Sequence, residues 1–197
     1  MKLYPVFLNL EGKSCTVIGG GRVAERKVRA LVDSGAVVKV IAPEVSEGME
    51  LLGCEKEIAF LKREYRQGDL EGAFLVIAAT NCRDTNASVY KEAEERGIPV
   101  NIVDSPEHSS FYVPSVLRRG DLCIAISTSG VLPYFAKKLR VYLEEKFYPE
   151  IALDIERLAV LRREIIAEYR NYKDKQLYFS RIIDPEIEKI FRKIEVR

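Results

Sequence analysis

Short, mainly apolar runs alternate along this chain with longer segments whose apolar residues recur at helical spacing. Strands buried on both faces of a parallel sheet read as such runs, with helices between them. Residues 14–18, 37–42, 58–61, 74–79 and 100–103 are predicted strands. Helices are predicted over 23–34, with Val23, Val28, Leu31 and Val32 facing inward and Gly35 as the stop, and over 84–96, closed by Gly97-Ile98-Pro99. Ahead of them, Tyr4-Pro5-Val6-Phe7-Leu8-Asn9-Leu10 reads as an edge strand or an apolar arm.

A further strand at 122–126 leads through Ser127-Thr128-Ser129-Gly130 into a helix that opens at Pro133 and runs to about 146. Beyond Pro149 strands give way to helix: Ile151, Ile155, Leu158, Leu161, Ile165 and Tyr169 form one apolar stripe, and Asp184-Pro185-Glu186 signals a final short helix. The expected fold class is α/β, a Rossmann-like doubly wound parallel sheet over residues 1–113. An intermediate segment, 114–147, and a small all-helical domain, 148–197, would follow. At that size the last segment needs the first domain or another subunit to pack against.

Composition narrows the picture mainly by exclusion. The 197 residues are 47% hydrophobic and 31% charged with a net charge of +1, so no global charge points to nucleic acid or an anionic membrane surface. No apolar run approaches the roughly 18 residues that span a bilayer, and the start does not read as a signal peptide. Four cysteines without a C-x-x-C pair, and one histidine, make a metal cluster unexpected and a reducing cytoplasm the default.

The chemistry concentrates after the strands. Gly19-Gly20-Gly21-Arg22-Val23-Ala24 fits the G-x-G-x-x-A dinucleotide pattern directly after the first strand. Gly19 would allow the tight turn, Gly21 would let backbone approach a pyrophosphate, and Ala24 would let the helix pack closely. A structural turn is the bland alternative, and the strand-turn-helix context favours a dinucleotide. At the tip of the second strand, where an acid often binds the ribose, stand Ala42-Pro43 with Glu44 one step on. Glu44 is a ribose ligand or a solvated loop charge. No arginine follows to receive a 2′-phosphate, so NAD is expected over NADP. Thr80 and Asn81 end another strand on the same edge, as crevice residues, helix N-cap residues, or both. Asp104 follows the strand at 100–103; it is a proton-transfer candidate or an ordinary turn residue. His108 is a titratable candidate or a plain loop residue, and the hydroxyls of Ser127 and Thr128 with Lys137 suit an anion or simple capping.

Taken together, Tyr4-Pro5-Val6-Phe7-Leu8-Asn9-Leu10, the glycine turn through Lys27, Ala78-Ala79-Thr80-Asn81, Val100-Asn101-Ile102-Val103-Asp104, Phe111-x-x-Pro114-Ser115 and Ala125-Ile126-Ser127-Thr128-Ser129-Gly130 resemble the precorrin-2 dehydrogenase family, which includes the N-terminal part of siroheme synthase. The likeness covers about residues 1–145. It implies NAD-dependent oxidation of precorrin-2 to sirohydrochlorin in siroheme biosynthesis. It also implies a homodimer built largely from the 114–147 region, Asp104 as the catalytic residue, and cofactor contacts at Gly19, Gly20, Gly21, Arg22, Val23, Pro43, Glu44, Thr80 and Asn81. His108, Ser127, Thr128 and Lys137 become substrate candidates, as do Arg118, Arg119, Lys138 and Arg140 for the substrate carboxylates. Thr128 stands where relatives often carry serine. Two alternatives accompany this reading: a second, iron-inserting activity, and a non-catalytic NAD-sensing module.

Overall fold

A computed structural model describes residues 2–56 and 58–196, in two compact units, Met1–Val113 and Pro114–Arg197. In the first unit β1 (Ser14–Ile18), β2 (Val37–Ile41), β3 (Ile58–Leu61), β4 (Leu75–Ala78) and β5 (Val100–Ile102) form a parallel sheet in the order β3-β2-β1-β4-β5. Helices α1 (Arg22–Val32) and α2 (Glu47–Glu55) cover one face, and α3 (Arg83–Glu95) covers the other. Alternate strand residues take opposite faces: Cys15, Val17, Leu75 and Ile77 meet α1 and α2, whereas Ile18, Val76 and Ala78 join the α3 side. Both faces are dry, so the strands need no polar alternation, and each fully buried aliphatic chain stabilises the unit by about 1.5–3 kcal/mol.

The chain builds outward from β1 to β3, then returns to place β4 on the other side of β1. That reversal opens a crevice beyond the carboxyl ends of β1 and β4, the place where doubly wound sheets bind ligands.

The structure decides one open expectation here, departs from two and adds a helix. Residues 4–10 make no strand; Tyr4, Val6, Phe7 and Leu8 are exposed and Leu10 docks in the core, so the arm alternative holds. The free edge of β5 is instead covered by its own downstream chain: Ser110 N–H donates to Val100 C=O at 2.8 Å and Ile102 N–H to Ser109 Oγ at 3.0 Å. Val23 is 40% exposed rather than inward, and Ala24 takes the buried place beside Val28 and Leu31. Helix α2 carries no clear sequence signal because Gly48 and Gly53 weaken its propensity. Ser46 caps it, Met49 and Leu52 bury, and Gly53 leaves room for the Phe60 ring, which an added Cβ would meet at 2.4 Å. Finally, Cys82, not Thr80 or Asn81, is the N-cap residue of α3.

The return connection from β3 to β4 is fastened by a buried carboxylate. Glu92 of α3 is 2% exposed; it accepts from the Tyr65 hydroxyl and from Gly68 N–H at 2.9 Å, and pairs with Arg96 at 2.9 Å. Burial pushes its pKa up, but these donors outweigh burial and hold it below the usual carboxylate range. A carboxyl group lowered in this way stabilises the fold fully above its unfolded pKa, about 4.3, and loses that contribution as pH falls through the folded value. Glu92→Gln is therefore expected to destabilise the first unit by about 2–4 kcal/mol near neutrality. It should also flatten the acid limb of its stability curve below about pH 5. Urea unfolding at several pH values checks both.

The second unit opens with an antiparallel hairpin, β6 (Ser115–Arg119) and β7 (Leu122–Ile126), turned at Gly120 with φ +57°. The strand expected at 122–126 thus belongs to a separate two-stranded sheet. Helices α4 (Pro133–Lys146), α5 (Ile151–Glu168), α6 (Tyr172–Tyr178) and α7 (Asp184–Val196) follow. Tyr148, Ile151 and Ile190 form their core, with Leu122 of the hairpin packed against it. Residues 148–197 consequently share one unit with the hairpin and α4. The final helix expected from Asp184-Pro185-Glu186 is α7, and a π-helical turn, Phe179–Ile183, joins it to α6.

Candidate cofactor and active site

The glycine turn is shaped by what surrounds each residue. Gly19 has φ +120°, and an added Cβ would lie 2.4 Å from the Ala79 carbonyl oxygen, so β1 and β4 approach here too closely for a side chain. At Gly20 an added Cβ would sit 1.8 Å from the Glu44 carbonyl oxygen, and Ser46 N–H donates to Gly20 C=O at 2.8 Å. The loop carrying Pro43 and Glu44 therefore rests directly on the turn. Gly21 differs: no atom lies within 4 Å of the position of a Cβ, which opens on free space.

Gly21 is also the N-cap of α1 and supplies no side-chain cap. The first helical bond runs from Glu25 N–H to Gly21 C=O at 2.9 Å, so the N–H groups of Arg22, Val23 and Ala24 precede the ladder. Open backbone at the positive end of a helix suits a pyrophosphate. These residues fit a dinucleotide.

Thr80 leaves β4 beside this turn. Its hydroxyl donates to Asn86 Oδ1 at 2.8 Å and accepts from Cys82 N–H at 3.2 Å, while Asn86 Nδ2 donates to Thr80 C=O at 3.1 Å. Asn86 thereby fixes the turn that exposes Asn81. The nearby Cys82 thiol is held below its usual range by the Thr85 hydroxyl and backbone.

Asp104 follows β5 at the same sheet edge, exposed, with φ +61°. Aspartate tolerates this left-handed backbone better than most residues. The turn is closed by Ser105 N–H donating to Ile102 C=O at 3.1 Å. Lys27, half-buried on α1, feels the Asp104 charge: burial and Arg26 push its ammonium below the usual lysine range, and Asp104 draws it back up. Val103 packs in the same apolar cluster as Ala24 and Val28, which brings this corner of α1 toward the end of β5.

His108 lies exposed in a 3₁₀ turn, Pro106–His108. Its Nδ1 is 2.8 Å from Ser105 Oγ, and its ring meets Tyr90 of α3 edge-on at 4.9 Å. Ser127, Thr128 and Lys137 belong to the second unit. There Ser127 Oγ accepts from Ser129 N–H at 3.0 Å and Thr128 Oγ1 from Leu132 N–H at 3.1 Å, so both hydroxyls shape their own turn. Of the other basic candidates, Arg119 caps α4, donating to the Phe147 and Glu144 carbonyls at 2.9 and 3.1 Å, and Arg140 pairs with Glu144. Lys138 lies over the Tyr134 ring, while Arg118 and Lys137 are exposed. No group of metal-ligating side chains occurs among the described residues, and no described helix is long and apolar enough to cross a membrane.

Glycine turn, Pro43-Glu44 loop, Thr80-Asn81 and Asp104 thus share one sheet edge. Lys27, Asn86 and Ser46 complete it, with no role expected for them beforehand: Lys27 and Ser46 act on residues distant along the chain, and Asn86 acts on Thr80 across the turn.

The pattern of a family described as putative NAD(P)-binding matches residues 6–115, more than half of the chain. Siroheme synthase 3 of Aeromonas hydrophila is 36% identical over 183 residues, covering 93% of this chain and 39% of that protein. Siroheme synthase of Azotobacter vinelandii is 42% identical over 144 residues, covering 73% of this chain and 31% of its own length. The chain spans about two-fifths or less of these curated relatives. A solved structure, SirC, precorrin-2 dehydrogenase, superposes with a TM-score of 0.80 at 25% identity, covering 99% of this chain and all of that one. With a nicotinamide-cofactor domain over its first half and the same fold throughout, the chain belongs to the precorrin-2 dehydrogenase family, which includes the N-terminal part of siroheme synthases.

Proposed function

We propose that this protein oxidises precorrin-2 to sirohydrochlorin with NAD⁺. The observation that carries the reading is the placement of Asp104 on the same sheet edge as an open glycine turn that fits a pyrophosphate. The bound nicotinamide supplies a hydride acceptor. The oxidation removes a hydride and a proton from the macrocycle, and Asp104 accepts that proton as general base. Lys27 places a positive charge within electrostatic reach of this carboxylate. The glycine turn and the α1 N-terminus orient the cofactor through backbone N–H groups. Glu44 follows the tip of β2, where its carboxylate binds ribose hydroxyls and repels a 2′-phosphate; this supports NAD over NADP.

In the second unit Val131, Leu132, Tyr134, Phe135 and Tyr142 are exposed along α4 and the turn before it. This apolar surface supports a homodimer through the 114–147 region. Lys137 and Arg118 are exposed there and serve as candidates for the substrate carboxylates.

Anaerobic assays with precorrin-2 and either cofactor test the reading. A kcat/KM at least about tenfold higher with NAD⁺ than with NADP⁺ is expected, since like-charge juxtaposition is costly. Oxidation with neither cofactor would overturn the dehydrogenase reading, and equal use of both would overturn the role given to Glu44.

A further inference from the structure

An acidic residue in the first turn of a helix has an ordinary explanation, a favourable charge at the positive end of the dipole. Glu25 of α1 does more than that. Its Oε2 accepts from Ser46 Oγ at 2.6 Å, and Arg29 approaches Oε1 at 3.5 Å from the solvent side. Its side chain is 23% exposed. Gly48 makes the space: an added Cβ there would lie 2.4 Å from Glu25 Oε1.

Ser46 joins three elements at once. Its hydroxyl proton goes to Glu25, its oxygen accepts from Met49 N–H at 3.3 Å to cap α2, and its backbone N–H donates to Gly20 C=O at 2.8 Å. Two residues earlier stands Glu44, whose backbone already touches the glycine turn. The loop between β2 and α2 is therefore stapled at Ser46 both to the phosphate-binding turn and to the helix that follows it.

We infer that Glu25 is a positioning residue for the adenosine half of the cofactor, acting through Ser46 to set the distance between the ribose-binding loop and the phosphate-binding turn. This rests on the nicotinamide-cofactor reading of the same site. The carboxylate of Glu25 is engaged by Ser46 and Arg29. It fixes the ribose-binding loop, and so lowers the ordering cost of binding.

Calorimetric titration of the full chain with NAD⁺ and with ADP-ribose, alongside steady-state kinetics, tests this. Glu25→Ala is expected to raise Kd for both ligands about tenfold, as loss of a charge-assisted hydrogen bond does, with kcat at saturating NAD⁺ within about twofold. Glu25→Gln keeps an acceptor for Ser46 and should restore most of the affinity, while Arg29→Ala should leave it unchanged. Adding Ser46→Ala to Glu25→Ala should raise Kd little further, because the Ser46–Glu25 bond is already gone; loss of the α2 cap would show in the melting temperature instead. A Glu25→Ala protein that melts lower but binds both ligands like wild type overturns the inference, as does a loss for NAD⁺ that ADP-ribose does not share. Wild-type protein that binds neither ligand overturns the cofactor reading, and this inference with it.

Discussion

Asp104→Asn is expected to slow precorrin-2 oxidation by about 10²–10⁴-fold, the usual worth of a positioned general base, with NAD⁺ affinity within about twofold of wild type. The substitution isolates the proton-accepting role because it preserves the backbone. Asp104 holds φ +61°, a conformation that asparagine adopts nearly as readily, whereas alanine would add roughly 1–2 kcal/mol of strain. The amide keeps the size and hydrogen-bonding reach of the carboxylate and loses its charge and basicity. A second signature accompanies the first. Asp104 is the group that raises the Lys27 pKa against burial and Arg26, so in the variant the Lys27 ammonium moves further below the usual lysine range. NMR titration of Lys27 in both proteins reads that shift directly. Pre-steady-state kinetics separate a slow chemical step from slow release. A variant that turns over at the wild-type rate removes Asp104 from the proton transfer.

The glycine turn yields the second large effect, as a contrast between adjacent positions. At Gly20 a methyl group would collide with backbone, 1.8 Å from the Glu44 carbonyl oxygen, and no side-chain rotation can relieve that. Gly20→Ala is expected to destabilise the first unit by about 1–3 kcal/mol, the range of an overpacked core site. It should also weaken NAD⁺ binding by at least about 100-fold as the Pro43-Glu44 loop is pushed off the turn. At Gly21 the same methyl meets no protein atom, and φ −81° suits alanine. Gly21→Ala should leave the melting temperature within about 2 °C. It should still raise Kd for NAD⁺ about tenfold or more, since the methyl occupies the approach reserved for the pyrophosphate. Thermal unfolding and calorimetry on the two variants separate the effects; an equal loss of stability in both would show that the turn is structural.

The sequence made the sheet legible because its central strands bury both faces: an unbroken run such as Phe74-Leu75-Val76-Ile77-Ala78-Ala79 has few alternative readings. The sheet-edge site was legible for a related reason. Gly19, Thr80 and Asp104 each stand one or two residues beyond a strand, and a parallel sheet gathers such positions at one edge. What was hidden depends on contacts between distant segments. Helix α2 exists through its Ser46 cap and the burial of Met49 and Leu52, against the propensity of its glycines. Glu92 looks like any charged helix residue until Tyr65 and Gly68 are folded onto it. The hairpin of β6 and β7 was half seen, because Ser115–Arg119 carries two arginines and reads as polar chain. Arg119 has a role its charge alone does not reveal: its guanidinium holds the end of α4.

In the proposed reaction a dinucleotide on the glycine turn and a base at Asp104 act together on one reduced tetrapyrrole. Anaerobic mixing of the protein with NAD⁺ and precorrin-2, following NADH and sirohydrochlorin in the same reaction, tests it most directly. The two products are expected to rise together in a one-to-one ratio, and both to be suppressed to a similar degree in the Asp104→Asn protein. NAD⁺ that binds without NADH appearing, or sirohydrochlorin that forms at the same rate with and without NAD⁺, would contradict it.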